Sequence, residues 1–412
     1  MTPRSISLIS TEKVSVRPLS RRDFLKTTLS SIVVLVTARA SASPETKQSA
    51  RIESKIGFTE YRTNLPTRHA NQVTMRACMV GADGSGFRRL AEELVQEPNS
   101  WTQFAGWSPD GKQAIIGRGW ESPENGAWEE EHKTFRMTEG WLYDMYLLDP
   151  DSGAAVNLTA VERVSDYNSG LFFVPGQENQ LAFTALINGV SHPFVMDRDG
   201  RNKRDVSSGP EGFTYGLNAS PDGGHIAYHK DYQIKVADAD GSNIRAVETG
   251  NPFNFAPQWS PDGSWLLFVS GEHYNCHPCI VRPDGTGFKK LADRGGYRGV
   301  TPVYDVYDFH DGSSDVPVWS PDGRAVYFTA QVKESVELMR ADLDGNVTQL
   351  TSSPPGVFHY HPKPAADGKR LAFGVNQDGM RRIAVMEAHG GEVHCLTPAR
   401  AGYGAMWPHW RP

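Results

Sequence analysis

Histidines are the residues whose type and spacing most directly suggest chemistry. His359 and His361 stand two apart in Phe358-His359-Tyr360-His361-Pro362. On a strand, positions i and i+2 project to the same side. As neutral imidazoles, the two therefore have the spacing to ligate one divalent ion. A pair hydrogen-bonded to neighbouring backbone is the plainer alternative. His310 is read as a third ligand from the strand before. His273 and His277 lie in Gly271-Glu272-His273-Tyr274-Asn275-Cys276-His277-Pro278. Cys276 and Cys279 have the Cys-x-x-Cys spacing of redox and zinc sites, yet Cys279 and Cys78 also fit small core positions. Four cysteines are too few for a disulfide scaffold in 412 residues.

The elements that must position these groups are strands in a repeat. Trp107-Ser108-Pro109-Asp110-Gly111 recurs at Trp259 to Gly263 and at Trp319 to Gly323, with weaker copies at 173, 219 and 364 and a truncated one at Trp410-Arg411-Pro412. The intervals run from 40 to 66 residues, enough for the four short strands of a propeller blade. A second turn alternates with the first at Asp83-Gly84, Ser152-Gly153, Asp199-Gly200, Asp240-Gly241, Asp284-Gly285, Asp344-Gly345 and Gly390-Gly391, where glycine supplies the positive φ of a tight hairpin. The expectation is an all-β, seven-bladed β-propeller of four-stranded blades over 54–412. The C-terminal strand Met406-Trp407-Pro408-His409-Trp410 joins the first blade and closes the ring, leaving no open sheet edge.

Both short turns fall on one rim, so the extra length falls on the other. It comprises Gly119 to Gly140, with Trp120, Trp128 and His132, and Ala292 to Asp315, with Tyr297, Arg298, Tyr304, Tyr307 and His310. Long aromatic loops on a rigid scaffold are where binding is usually housed. That face is read as taking an oligosaccharide or a protein partner.

The first forty residues read as an address. Arg21-Arg22 precede Phe24-Leu25, an apolar stretch runs from Thr27 to Ala38, and Ala40-Ser41-Ala42 is a small-residue cleavage site. Residues 1–42 are read as a twin-arginine signal peptide and 43–53 as a short linker, predicting a periplasmic or secreted protein. The signal carries Arg4, Lys13, Arg17, Arg21, Arg22, Lys26 and Arg39 against Glu12 and Asp23, so the remainder of a chain of net charge −6 stands near −11. Such an acidic body is unsuited to nucleic acid. No apolar run reaches the roughly 18–20 residues that span a bilayer, which argues against membrane insertion. The 10 Trp, 18 Phe and 14 Tyr supply too much core for a disordered chain.

The Trp-Ser-Pro-Asp-Gly motif followed by an apolar strand resembles the WD40-like propeller repeat of the Tol-system protein TolB and its relatives, over residues 54–412. A His-x-His at the start of a late blade also resembles oligogalacturonate lyases. That resemblance implies a divalent ion (Mn, Zn or Ca) held by His310, His359 and His361 against a substrate carboxylate. Metal-assisted β-elimination at a uronate then needs a base and a donor to the leaving oxygen. His273 or Tyr215 is the candidate base, and Arg298 or Tyr167 the electrostatic or proton donor. Trp101, Trp120 and Trp407 are candidates to stack on sugar rings. Two functions follow: a metal-dependent lyase of uronate-containing oligosaccharides, or a non-catalytic TolB-like propeller that docks a protein or glycan.

Overall fold

The recurring pentapeptide is a self-contained turn. Ser108 donates its hydroxyl to Asp110 Oδ1 at 2.6 Å and accepts the Gln113 amide at 2.9 Å, while the Gly111 amide donates to the Ser108 carbonyl at 2.8 Å. Ser220 with Asp222, Ser260 with Asp262 and Ser320 with Asp322 repeat the arrangement. Each turn joins the first two strands of a set, as between Ser100–Trp107 and Ala114–Glu121.

The computed structural model describes residues 54–132, 140–160, 167–187, 190–207, 214–272, 275–297 and 315–412. They form a β-propeller of antiparallel four-stranded sets, such as Phe253–Trp259, Leu266–Glu272, Asn275–Val281 and Lys289–Lys290. Hydrogen bonding groups the strands into five sheets, of four, eight, four, four and eight strands, where the repeat predicts seven separate blades. The difference has a local cause. One parallel pair, Tyr143 with Tyr167, fuses two neighbouring sets, and another, Val336 with Phe358, fuses two more.

The C-terminal strand Tyr403–Trp410 pairs antiparallel with Lys55–Arg62 and so lies in the first sheet. The cores lie between successive sheets. Ile56, Phe58 and Val80 of the first pack against Ala372, Ile383 and Leu396 of the last, and Met79 and Leu90 pack against Phe104 and Ile116. Cys78 and Cys279 are buried at matching positions on the third strand of their sets, as expected.

The first strand of a set repeatedly carries a bulge. Register slips between Ser169 and Phe172, Tyr215 and Asn218, Phe255 and Gln258, Tyr360 and Lys363, and across Trp407. At each slip one residue adopts positive φ: Gly170, Gly216, Ala256, His361 and Trp407. A bulge of this kind turns the strand and re-aims the side chain there. Among the described residues, no helix is long and apolar enough to cross a membrane.

Candidate functional site

The strand Phe358–Pro364 carries both candidate ligands, but its bulge changes the expected geometry. His361 sits at φ 52° and its main-chain N–H donates to Asp315 Oδ1 at 2.9 Å. Beyond it the register has slipped, so the i, i+2 rule of a regular strand does not carry from His359 to His361. His359 packs on Phe373 and lies 3.6 Å from Glu337 Oε2. His361 instead meets the edge of Tyr360 and the ring of Trp407 on the C-terminal strand. Tyr360, between them, is held tightly. A Cβ on Gly374 would fall 2.0 Å from its ring, and its hydroxyl donates to the Ala405 carbonyl at 2.8 Å.

Each imidazole has the protonation a ligand requires. His359 Nδ1 lies 2.8 Å from the Val336 carbonyl. A carbonyl only accepts, so Nδ1 carries the proton and Nε2 keeps a lone pair. His361 Nδ1 is buried without a hydrogen-bond partner. Burial lowers the pKa of His359 and takes His361 down to about 4, so both are neutral at pH 7. The donor chemistry thus fits a divalent metal. Among the described residues, however, no group of three or more His, Cys, Asp or Glu side chains is placed to hold one.

The remaining expected residues divide by position. His310, His273 and Arg298 lie outside the described residues. Tyr167 begins the strand Tyr167–Phe173. Tyr215 is 37% exposed, with its ring edge on His229 at 5.9 Å. His277 is buried in a strand and its Nδ1 accepts the Arg294 amide at 3.2 Å. Cys276 is buried, its thiol donating to the Glu272 carbonyl, and burial lifts the Cys279 thiol to about 12, which denies Cys279 the character of a reactive thiolate. Trp101 is buried edge-on to Trp141, unavailable as a stacking platform, whereas Trp407 is half-buried beside His361.

A buried network missed at the sequence level supports the bulge. Arg294 donates to the carbonyls of Thr329 and Asp315 and to the Thr329 hydroxyl, and its guanidinium lies 4.4 Å from the Tyr297 ring centroid. The Tyr297 and Thr329 hydroxyls donate to Asp315 Oδ2 at 2.9 and 2.7 Å. Asp315 Oδ1 is left for His361. Burial, and then the Asp315 charge, raise the Tyr297 phenol well above its usual pKa. Arg294, Tyr297 and Asp315 bracket the long crossing in the sequence, but nothing in their spacing signals that they meet.

This architecture defines a class, and comparison with known proteins gives it company. No family model matches the chain. Its structural neighbours include TolB-like and oligogalacturonate lyase β-propellers. A solved oligogalacturonate lyase in complex with manganese superposes with a TM-score of 0.52 at 16% identity, covering 83% of this chain and 85% of that one; at that identity the likeness shows the fold. By sequence, an uncharacterized protein of Agrobacterium fabrum is 29% identical over 253 residues, 52% of this chain and 85% of its own. The Tol-Pal system protein TolB of Methylococcus capsulatus is 26% identical over 219 residues, 52% of this chain but 42% of its own.

Proposed function

We propose that this is an exported propeller that binds uronate-containing oligosaccharides at the end of the strand bearing His359 and His361, and cleaves them by metal-assisted β-elimination. The observation that carries the reading is the pair of neutral imidazoles, His359 with Nε2 uncommitted and His361 with Nδ1 buried and unpartnered. His310 completes the ligand set. The ion, when bound, neutralises the substrate carboxylate and the charge that develops as the C5 proton leaves. His273 or Tyr215 takes that proton, and Arg298 or Tyr167 stabilises or protonates the leaving oxygen. Asp315 acts as a positioning residue by fixing the His361 backbone.

Export is assigned to residues 1–42, with 43–53 as the linker. Pairing of Tyr403–Trp410 with Lys55–Arg62 supports closure of the ring by the C-terminal strand. The competing reading, a non-catalytic propeller docking a protein or glycan, is favoured by the sequence match to TolB.

Metal analysis and product absorbance separate the two. Protein purified from its native compartment should hold about one divalent ion per chain and release unsaturated, ultraviolet-absorbing uronate products. His361→Asn suits the test because asparagine tolerates positive φ. It should lose most of the metal and of the product while melting close to the parent. Metal-free, inactive wild-type protein would favour the docking reading.

A further inference from the structure

The repeat is broken at one tryptophan. Trp107, Trp319 and Trp410 each donate the indole N–H to a main-chain carbonyl of a neighbouring first strand: His409 at 3.0 Å, Gln258 at 3.2 Å and Lys363 at 2.9 Å. In each case the acceptor immediately precedes the neighbour's own repeat position. The matching acceptor for Trp259 is Asn218, but there the Asn218 side-chain oxygen takes the main-chain N–H of Trp259 at 2.9 Å. The indole N–H of Trp259 is left buried without a partner, on a residue only 9% exposed. Such a donor is costly unless something satisfies it.

The covering group differs too. Arg370 lies over the Trp410 ring at 4.8 Å. The residue at the same offset from the preceding turn glycine is His225, tilted against Trp259 at 6.1 Å. Beside this shorter side chain opens a cleft of about 320 Å³, walled by Trp259, His225 and Arg245 and by the turns bearing Asp222 and Asp262. It lies at the strand ends opposite to His359, among the short turns.

The lining selects by charge. Asp222 and Asp262 are held ionised, their carboxyls kept below the usual range chiefly by the Ser220 and Ser260 hydroxyls, so a small anion meets two negative groups. A cation meets the Arg245 guanidinium. A neutral ligand escapes both: it can accept from Arg245, donate to the aspartates and rest an apolar face on the indole and the rings of Pro221 and Pro283. Sugar hydroxyls both donate and accept, and a pyranose ring presents the C–H face an aromatic wall prefers. The volume falls at the small end of ligand pockets.

We infer that this cleft is a binding site for a neutral hexose unit, separate from the histidine site and independent of the function proposed for it. Isothermal titration of the full chain with D-galactose, D-glucose, D-mannose, N-acetylglucosamine and D-galacturonate tests this. At least one neutral sugar should bind, and galactose should bind more tightly than galacturonate. Arg245→Ala, an exposed change that spares the fold, should weaken binding about tenfold or more, roughly the worth of one lost hydrogen bond to a charged group, and Trp259→Leu should weaken it by removing the aromatic wall. His361→Asn should leave it unchanged. Failure of every neutral sugar to bind, tighter binding of galacturonate, or affinity untouched by both cleft variants would each overturn the assignment, whatever the metal and lyase measurements give.

Discussion

Two buried arginines, Arg68 and Arg294, each anchor an elaboration of the propeller by different means. Arg68 bridges two carboxylates, Glu121 Oε1 at 2.9 Å and Glu129 Oε2 at 2.5 Å, both fully enclosed. Asn125 donates to the same pair, Trp141 donates to Glu129, and His69 meets Glu121 at 2.7 Å. This cluster ties the helices Arg68–Gln72 and Pro123–His132 to the end of a strand. Arg294 instead passes its charge through neighbours, donating to the Thr329 hydroxyl, which in turn donates to Asp315. A cluster whose charges touch depends on every member, whereas one relayed through hydroxyls and carbonyls should fail by degrees.

Arg68→Met breaks the first cluster most severely. It strands two buried carboxylates and should cost about 3–5 kcal/mol in urea unfolding. Asp315→Asn keeps the shape of the second and one acceptor oxygen. A loss nearer 1–3 kcal/mol is expected, and a loss as large as that of Arg68→Met would refute the contrast.

Acid titration sharpens it further. Burial opposes ionisation of Glu121, but His69 and Arg68 outweigh it and hold the carboxyl below its usual range. A carboxylate depressed in the folded state gives stability that is present above about pH 4.5 and lost as pH falls through the folded value. His409 titrates the other way. Burial first, then Lys363 and His361, bring it down to about 3. The unfolded chain therefore takes up that proton first, and stability declines as pH falls below about 6.5, by at most about 1.4 kcal/mol per pH unit. The melting temperature should drop in two stages, and His409→Gln should shrink only the upper one, to which the buried His359 and His361 also contribute. The smallest effect serves as a reference remote from both clusters: Ser320→Ala removes one turn hydroxyl and should cost about 1 kcal/mol by the same unfolding measurement.

The parts of the fold legible in the sequence were those written into local chemistry. Ser, Asp and Gly at fixed offsets each make the hydrogen bond or the positive φ the turn requires, so the turns and the strands they join were readable. The grouping into five sheets was not, because it rests on single parallel pairs, Tyr143 with Tyr167 and Val336 with Phe358, that no motif marks. Neither was the bulge at His361, although a proline follows it there as at Ala256 and Trp407. The helix inside the Gly119 to Gly140 insertion did carry a signal: Ser122 accepts the Asn125 amide at its start and Pro123 takes the first helical position. The buried arginines had none, since their partners come from distant strands.

The bulges of the first strands have an evolutionary reading. The same left-handed step holds glycine at Gly170 and Gly216, alanine at Ala256, histidine at His361 and tryptophan at Trp407, with the ladder resuming in a shifted register beyond each slip. The fold thus offers a series of interchangeable sockets, in which an imidazole or an indole replaces a hydrogen atom while the strand keeps its course. Not every socket is open. A Cβ on Gly216 would strike the Ala256 backbone at 2.6 Å, whereas one on Gly170 meets nothing within 4 Å among the described residues. Gly170 is therefore the step at which a lineage, or a designer, has room to add a new functional group, at the modest strain a non-glycine residue bears in that conformation.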